Sequence, residues 1–303
     1  MTKTAEAPTT LKPKPGRFGR KTFRRVSGAS WGMPVSVTVL ALLIVGAAGA
    51  GIIRPDHYLL TNFDHILQPP SLAYPLGTDS AGRDLLAMIL RGMRVSFLVS
   101  TMAAIVAVVV GAIVGLISGA IGGVVDDVLM RIVDFLSSQN HLLFGLFIAV
   151  LAYPLVGGAG AVTVSVGFTH WTSIARILRA EILSIRERPF VFAAIGLGAG
   201  RGHVIRHHLL PNILPSAGLG FVLLFPHAIF HEAALSFLGV GLPPGNPSLG
   251  TLISFGQSAM LQGGWWIMLF PGLVIVIASI VIGAIGEWWR DRAQPRWRSE
   301  LEL

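Results

Sequence analysis

The sequence contains no cysteine, which excludes disulfides, thiol nucleophiles and thiolate metal sites. Charge is scarce too: Asp, Glu, Lys and Arg make up 13% of its 303 residues, against about 25% in a soluble globular protein. Two catalytic signatures are missing. No Gly-x-x-x-x-Gly-Lys-Ser/Thr loop is present to cradle ATP phosphates. His227-Ala-Ile-Phe-His231 lacks the glutamate that serves as base in His-Glu-x-x-His metalloproteases. What is there is a chain 53% hydrophobic with 36 glycines, a balance that suits a multi-pass membrane protein with closely approaching helices.

Apolar runs near 20 residues predict six transmembrane helices: Met33 to Ile53, Val95 to Gly122, Ile132 to Tyr153, Leu155 to Ala175, Ile213 to Gly239 and Trp265 to Gly286. The third contains the polar stretch Ser137 to His141. Net charge is +8, but the basic residues gather around apolar blocks instead of forming an aromatic-interleaved patch, so nucleic acid is not the expected partner. Of the 23 Lys and Arg residues, nineteen fall in the N-terminal tail, at Arg131, between Arg176 and Arg206, and from Arg290 onward. The other four are Arg54, Arg83, Arg91 and Arg94. Positive charge on one side predicts N-in, C-in topology.

The expected order is a basic, disordered cytoplasmic tail (1–32), a first span (33–53) and an external segment (54–94). A core of five further spans follows (95–289), with a cytoplasmic loop at 176–212 and a tail at 290–303. No cleavable signal is expected in the tail, because the first apolar block is long enough to stay in the bilayer. "DLLAMILRGMR" in the external segment reads as an amphipathic helix at the membrane interface. Gly111, Gly115, Gly119 and Gly123 recur at four-residue intervals, so they share a helix face where another backbone can come close.

The polar segment 176–212 is the most informative. "RILRAEILSIRER" is helical in composition and Pro189 interrupts it; "FVFAAIGLGA" bends at Gly196, Gly198 and Gly200; "RGHVIRHHLLPN" reads as a second short helix stopped by Pro211. Two short helices around a glycine bend form a compact projection. The segment resembles the coupling loop of ABC importer permeases, in which Glu-Ala-Ala is followed by Gly and then Leu-Pro. Ala193, Ala194, Gly198, Ile205, Leu210, Pro211 and Asn212 match that pattern, and Phe192 stands where it has Glu. "PLGTDSAGRDLLAMILRGMRVSFLVS" resembles the dipeptide, oligopeptide and nickel permeases through Asp79, Gly82, Arg83, Asp84, Arg94 and Ser96. "VDDVLMRIVDFLSS" does so through Asp126, Arg131 and Asp134, and "EAALSFLGVGLPPGNPSLG" through Glu232, Ser236, Pro243 and Pro244.

This resemblance covers nearly all of residues 33–298. It implies an all-α membrane protein with the type I ABC importer transmembrane-domain fold, in the cytoplasmic membrane of a bacterium. It implies a non-catalytic permease subunit that moves di- or oligopeptides by alternating access. Its partners would be a second, homologous permease chain, two ATP-binding subunits holding ATP and magnesium, and an extracytoplasmic binding protein; this chain itself would hold no cofactor. A nickel or metal-chelate permease is the alternative, since the motifs are shared. A proton-driven secondary transporter would use Glu232 and nearby histidines as a relay, but no inverted repeat supports it.

His227, His231 and Glu232 lie on the fifth span. The histidines share a face and Glu232 points about 100° away, so hydrogen bonding to neighbouring helices, contact with a polar substrate and metal ligation stay open in that order, with no metal site expected. His203, His207 and His208 accompany Arg201 and Arg206 and read as polar cytoplasmic residues. Arg131 and Asp134 are expected to pair, and Asp79, Arg83 and Asp84 to form a small external network or a docking surface.

Overall fold

The computed structural model describes residues 32–242 and 247–293. The basic tail before residue 32, the signature prolines Pro243 and Pro244, and the C-terminal tail after Ala293 lie outside the described residues. The helices run in the order α1 (Gly32–Ala48), α2 (Ala50–Ile53), α3 (Leu85–Ile121), α4 (Gly123–Ser137), α5 (His141–Arg186), α6 (Pro189–Gly196), α7 (Arg201–Val204), α8 (Leu210–Phe237), α9 (Leu249–Met260) and α10 (Trp266–Ala293). Thr78 and Asp84 make an isolated bridge, and no strand occurs among the described residues.

Four helices are long and apolar enough to cross a membrane: Leu85–Ile121, His141–Arg186, Arg201–Phe237 and Trp266–Arg292, with Gly32–Ala48 a shorter apolar helix. The 46-residue α5 is two helices in succession, because Gly157 has non-helical angles (φ 71, ψ 175). The segments on either side run antiparallel. Ser165 donates to the Gly145 carbonyl at 2.5 Å, His141 stacks on His170, and farther out Arg176 of α5 bonds Asp134 of α4 at 2.8 Å. Each pairing is centred on residue 155 or 156, just before Gly157, as a hairpin folding back there requires.

The third predicted run is therefore divided between α4 and the first half of α5. Its polar stretch is where the helix breaks: Asn140 accepts hydrogen bonds from the Leu142 and Leu143 amides at 3.1 Å each, an N-cap that starts a new helix. Asp134 reaches across to Arg176 and does not pair with Arg131. Those two residues sit only three apart on one helix, but the longer reach gives Asp134 a partner on a neighbouring element.

The glycine ridge packs as its spacing implies. A Cβ on Gly111 would lie 2.7 Å from Ile174, one on Gly115 2.7 Å from the Ala175 carbonyl, and one on Gly119 2.8 Å from Ile182. These contacts climb in step along α3 and the second half of α5, so the two segments run parallel at small-residue distance. Gly123 is not part of the ridge. It begins α4 after the break at Gly122, and its missing Cβ faces open space.

Three further expectations change. The stretch 84–94 is not a separate interfacial helix; it is the first turns of α3, capped by Asp84, whose carboxylate accepts from the Leu86 and Ala87 amides. Leu85, Met88 and Ile89 are buried because α9 and α10 cover them in one core with Leu249, Leu252 and Ile267. Helix α9 lies between the fifth and sixth predicted spans, where no helix is expected. Ser248 and Thr251 form its capping box, and Gly250 and Gly256 let it press on Ala233 of α8 and Met268 of α10. Finally, Pro211 does not stop the helix before it. A π-turn at Ile205–Leu209 joins α7 to α8, and such a widened turn absorbs a proline that cannot donate to the preceding turn.

Candidate functional site

The matched coupling residues lie on α6 and the α7–α8 junction. Arg188 precedes α6 in extended conformation and Pro189 occupies its first turn, where a missing N–H costs nothing. Gly198 has φ +90, a left-handed conformation that ends α6 and suits glycine. Beyond it α7 starts at Arg201 and continues through the π-turn into α8. The Asn212 side chain donates to the His208 carbonyl at 2.6 Å and satisfies an acceptor that the widened turn disturbs.

One face of this projection is anchored and the other is bare. Val191, Val204 and Leu209 are buried with Ile182, Ile185 and Ile213, and Ile205 packs against them. Elsewhere on α6 and its exit Phe190, Phe192, Ile195 and Leu197 are exposed, Leu197 at 90% and Phe192 at 61%. Ala193 is exposed beside Phe192, and Ala194 is half-buried. Phe192 also borders a cleft with Arg186, Glu187 and Arg201. Four large apolar side chains are thus left exposed on an eight-residue helix and its exit, and uncovered apolar groups of this size mark interaction surfaces.

A charged lattice braces the base of this projection, and the sequence reading did not assemble it. Arg179 of α5 grips Asp126 of α4 with both carboxylate oxygens at 2.5 Å, and Ser118 of α3 donates to the same carboxylate. The guanidinium holds the Asp126 carboxyl below its ordinary value, with the Ser118 hydrogen bond acting in the same direction and partial burial opposing both. Arg186 donates to the Gly119 carbonyl at 2.7 Å, and Ser216 of α8 donates to Glu181 at 2.9 Å. Asp126 and Arg179 are 53 residues apart, a pairing no local spacing rule reveals.

Asp79, Gly82, Arg83 and Asp84 meet at the opposite end of α3. Asp79 accepts from the Ala81 and Arg83 amides and from the Arg83 side chain at 2.6–2.9 Å. Asp84 caps α3 and faces Arg54 at 3.4 Å. Asp79 is bonded within the loop, Asp84 through its cap and the Arg54 ion pair, and Trp266 of α10 ties the loop down through the Thr78 carbonyl at 3.0 Å.

The fifth-span residues separate into two environments. Glu232 is fully buried and accepts from Ser236 at 2.9 Å, with the Ser96 and Ser248 side chains also facing it. His231 turns elsewhere and meets His170 edge-on at 4.7 Å, while His227 is exposed. His141 and His170, which the sequence reading passed over, join that histidine group. No cluster that could hold a metal ion occurs among the described residues.

Comparison with known proteins gives a consistent result. Residues 107–299 match the family described as binding-protein-dependent transport system inner membrane component. The chain is 34% identical over 266 residues to a putative peptide transport system permease protein of Brucella abortus, covering 88% of each. It is 36% identical over 228 residues to a putative peptide permease protein of Brucella suis, covering 75% of this chain and 74% of the relative. It is also 31% identical over 260 residues to the dipeptide transport system permease protein of Bacillus subtilis, covering 86% of this chain and 80% of the relative.

Proposed function

The chain belongs to the binding-protein-dependent transport system inner membrane components, and on that premise we propose that it forms half of the membrane pathway of an ATP-driven peptide importer. The observation that carries this reading is the exposed apolar face of α6 beside a junction that runs unbroken into α8. A patch held on a rigid helix transmits force; the same residues on a loose loop would not.

In this reading the chain crosses a bacterial cytoplasmic membrane six times, with both termini inside. The two halves of α5 supply separate spans around Gly157, and α4 leads into the third. A second, homologous permease chain completes the pathway, and an extracytoplasmic binding protein delivers peptide. Two ATP-binding subunits dock on the α6 patch, with ATP and magnesium held by them. Phe192 fills a hydrophobic position where the family pattern has Glu, so docking depends on apolar packing.

The mechanism is mechanical. Closure of the ATP-binding subunits displaces α6, the displacement passes through Gly198 and the π-turn, and α8 reorients with the helices packed on it. The Asp126–Arg179 lattice keeps α3, α4 and α5 together during that movement, so the inner end moves as a unit. Alternating access follows when the pathway closes on one side and opens on the other.

The test uses membrane vesicles containing the complete transporter and a radiolabelled peptide. Ala194→Trp and Gly198→Trp are expected to abolish ATP-driven uptake while ATP hydrolysis and membrane insertion persist. Unchanged uptake in both variants, or uptake by this chain alone under a proton gradient, overturns the proposal.

A further inference from the structure

The coupling mechanism leaves one polar cluster unused. His141 and His170 come from the two halves of α5, and His227 and His231 from α8. The His141 and His170 rings stack at 5.8 Å, and His170 meets His231 edge-on at 4.7 Å. His227 lies one turn before His231 on the same face of α8. His170 is thirteen residues past the Gly157 turn, about 20 Å along the helix at the usual rise. Polar side chains at such depth in an apolar segment are costly and tend to mark a route for polar cargo.

The chemistry of the cluster narrows what that cargo offers. The one nearby carboxylate in the chain order, Glu232, is turned into Ser236, so a histidine–carboxylate relay is not formed. Metal-holding geometry is absent among the described residues. His170 Nδ1 lies 3.1 Å from the Val166 carbonyl oxygen. A carbonyl only accepts, so the proton is assigned to Nδ1 and Nε2 is left as an acceptor. His141 and His227 are exposed, and His170 and His231 half-exposed, so the cluster is open to an incoming molecule.

A peptide supplies partners for imidazole nitrogens. Each residue other than proline brings one N–H donor and one carbonyl acceptor, whatever its side chain. We propose that His141, His170, His227 and His231 form a peptide-contact site on the translocation route, exchanging hydrogen bonds with backbone amides of the cargo. The site rests on the reading of peptide as substrate. Recognition of backbone in place of side chains lets one pathway pass many sequences. Imidazoles without a counter-ion hold the cargo weakly enough to release it.

The experiment measures ATP-dependent uptake of radiolabelled tetra-alanine, and of the same peptide with one internal amide N-methylated, in vesicles containing the complete transporter. His170→Phe is expected to lower tetra-alanine uptake about tenfold, with ATP hydrolysis unchanged. His170→Gln, which keeps an acceptor and a donor, is expected to stay within about threefold of the wild type. The N-methylated peptide should be disfavoured less by His170→Phe than by the wild type, because the lost N–H then has no partner to miss. Equal uptake by wild type and His170→Phe, or equal impairment by Phe and Gln, overturns the site while leaving peptide transport standing. A wild-type transporter that takes up no peptide overturns the substrate reading and the site's ligand together.

Discussion

Between residues 54 and 84 a Cβ added at Gly82 would lie 1.7 Å from the Asn62 carbonyl oxygen, whereas one added at Gly196, Gly198, Gly200 or Gly202 would meet nothing within 4 Å. The first segment is closed by its own contacts: Asp79 and Asp84 are buried and bonded, and Trp266 locks the loop from α10. The second has one anchored face and one bare apolar face. Both are short, glycine-containing and rich in charged residues, so composition does not separate them. Contact does. A segment that satisfies its polar groups internally serves the fold, and one that leaves large apolar groups uncovered is shaped for something outside the chain.

The sharpest way to break this comparison is Gly82→Ala. The new Cβ collides with backbone, and φ is +74, so the variant should lose about 3 kcal/mol or more; thermal unfolding in detergent measures it. Next is Asp126→Asn, which removes charge-assisted bonds to Arg179 beneath the α6–α8 projection and should cost about 2 kcal/mol. The same carboxylate predicts a pH dependence. Its folded value lies below the ordinary one, so the unfolded chain binds more protons in that window. The contribution is complete above about pH 4 and is lost as pH falls through the depressed value. Melting temperature should therefore drop below pH 4 in the wild type, and the drop should be shallower in Asp126→Asn.

Smaller effects sharpen the other side. Phe192→Asp should leave the melting temperature unchanged, because the side chain is exposed, yet lower ATP-driven peptide uptake about tenfold by placing charge in an apolar contact. A variant that unfolds instead would show that the bare face is needed by the fold. Gly202→Ala should raise stability by about 0.5 kcal/mol, since the position is helical and unobstructed. If it destabilises as Gly82→Ala does, the two segments are alike after all.

Much of this architecture was legible in sequence. Apolar runs located α8 within three residues at each end and the bodies of α1, α3 and α10, although α3 begins ten residues before Val95 and α10 continues seven past Gly286, and the four-residue glycine spacing identified the α3 face that packs on α5. The break at Asn140 was visible as a polar stretch inside an apolar run. The capping box Ser248–Thr251 could have revealed α9, but the surrounding stretch reads as loop because its glycines exist for contacts that are distant in the chain. Pro211 misled for a related reason: proline's local preference ends helices, and only the π-turn before it shows how the chain continues. The histidine site was half legible. His227 and His231 share a face by spacing, whereas His141 and His170 lie 29 residues apart and meet only because the chain folds back at Gly157.

By itself, the sequence determined that this is an apolar, helical chain, with basic residues gathered between its apolar blocks and a glycine-bent segment unlike its surroundings. Those properties follow from composition and short-range periodicity, which act along the chain. Tertiary structure alone decided that Asp134 and Asp126 take arginines of α5 as partners, that Glu232 is buried against Ser236, that His141, His170 and His231 meet, and that Phe192 stands uncovered. Each of these depends on which helix lies beside which, and long-range packing sets that at distances no local spacing can encode.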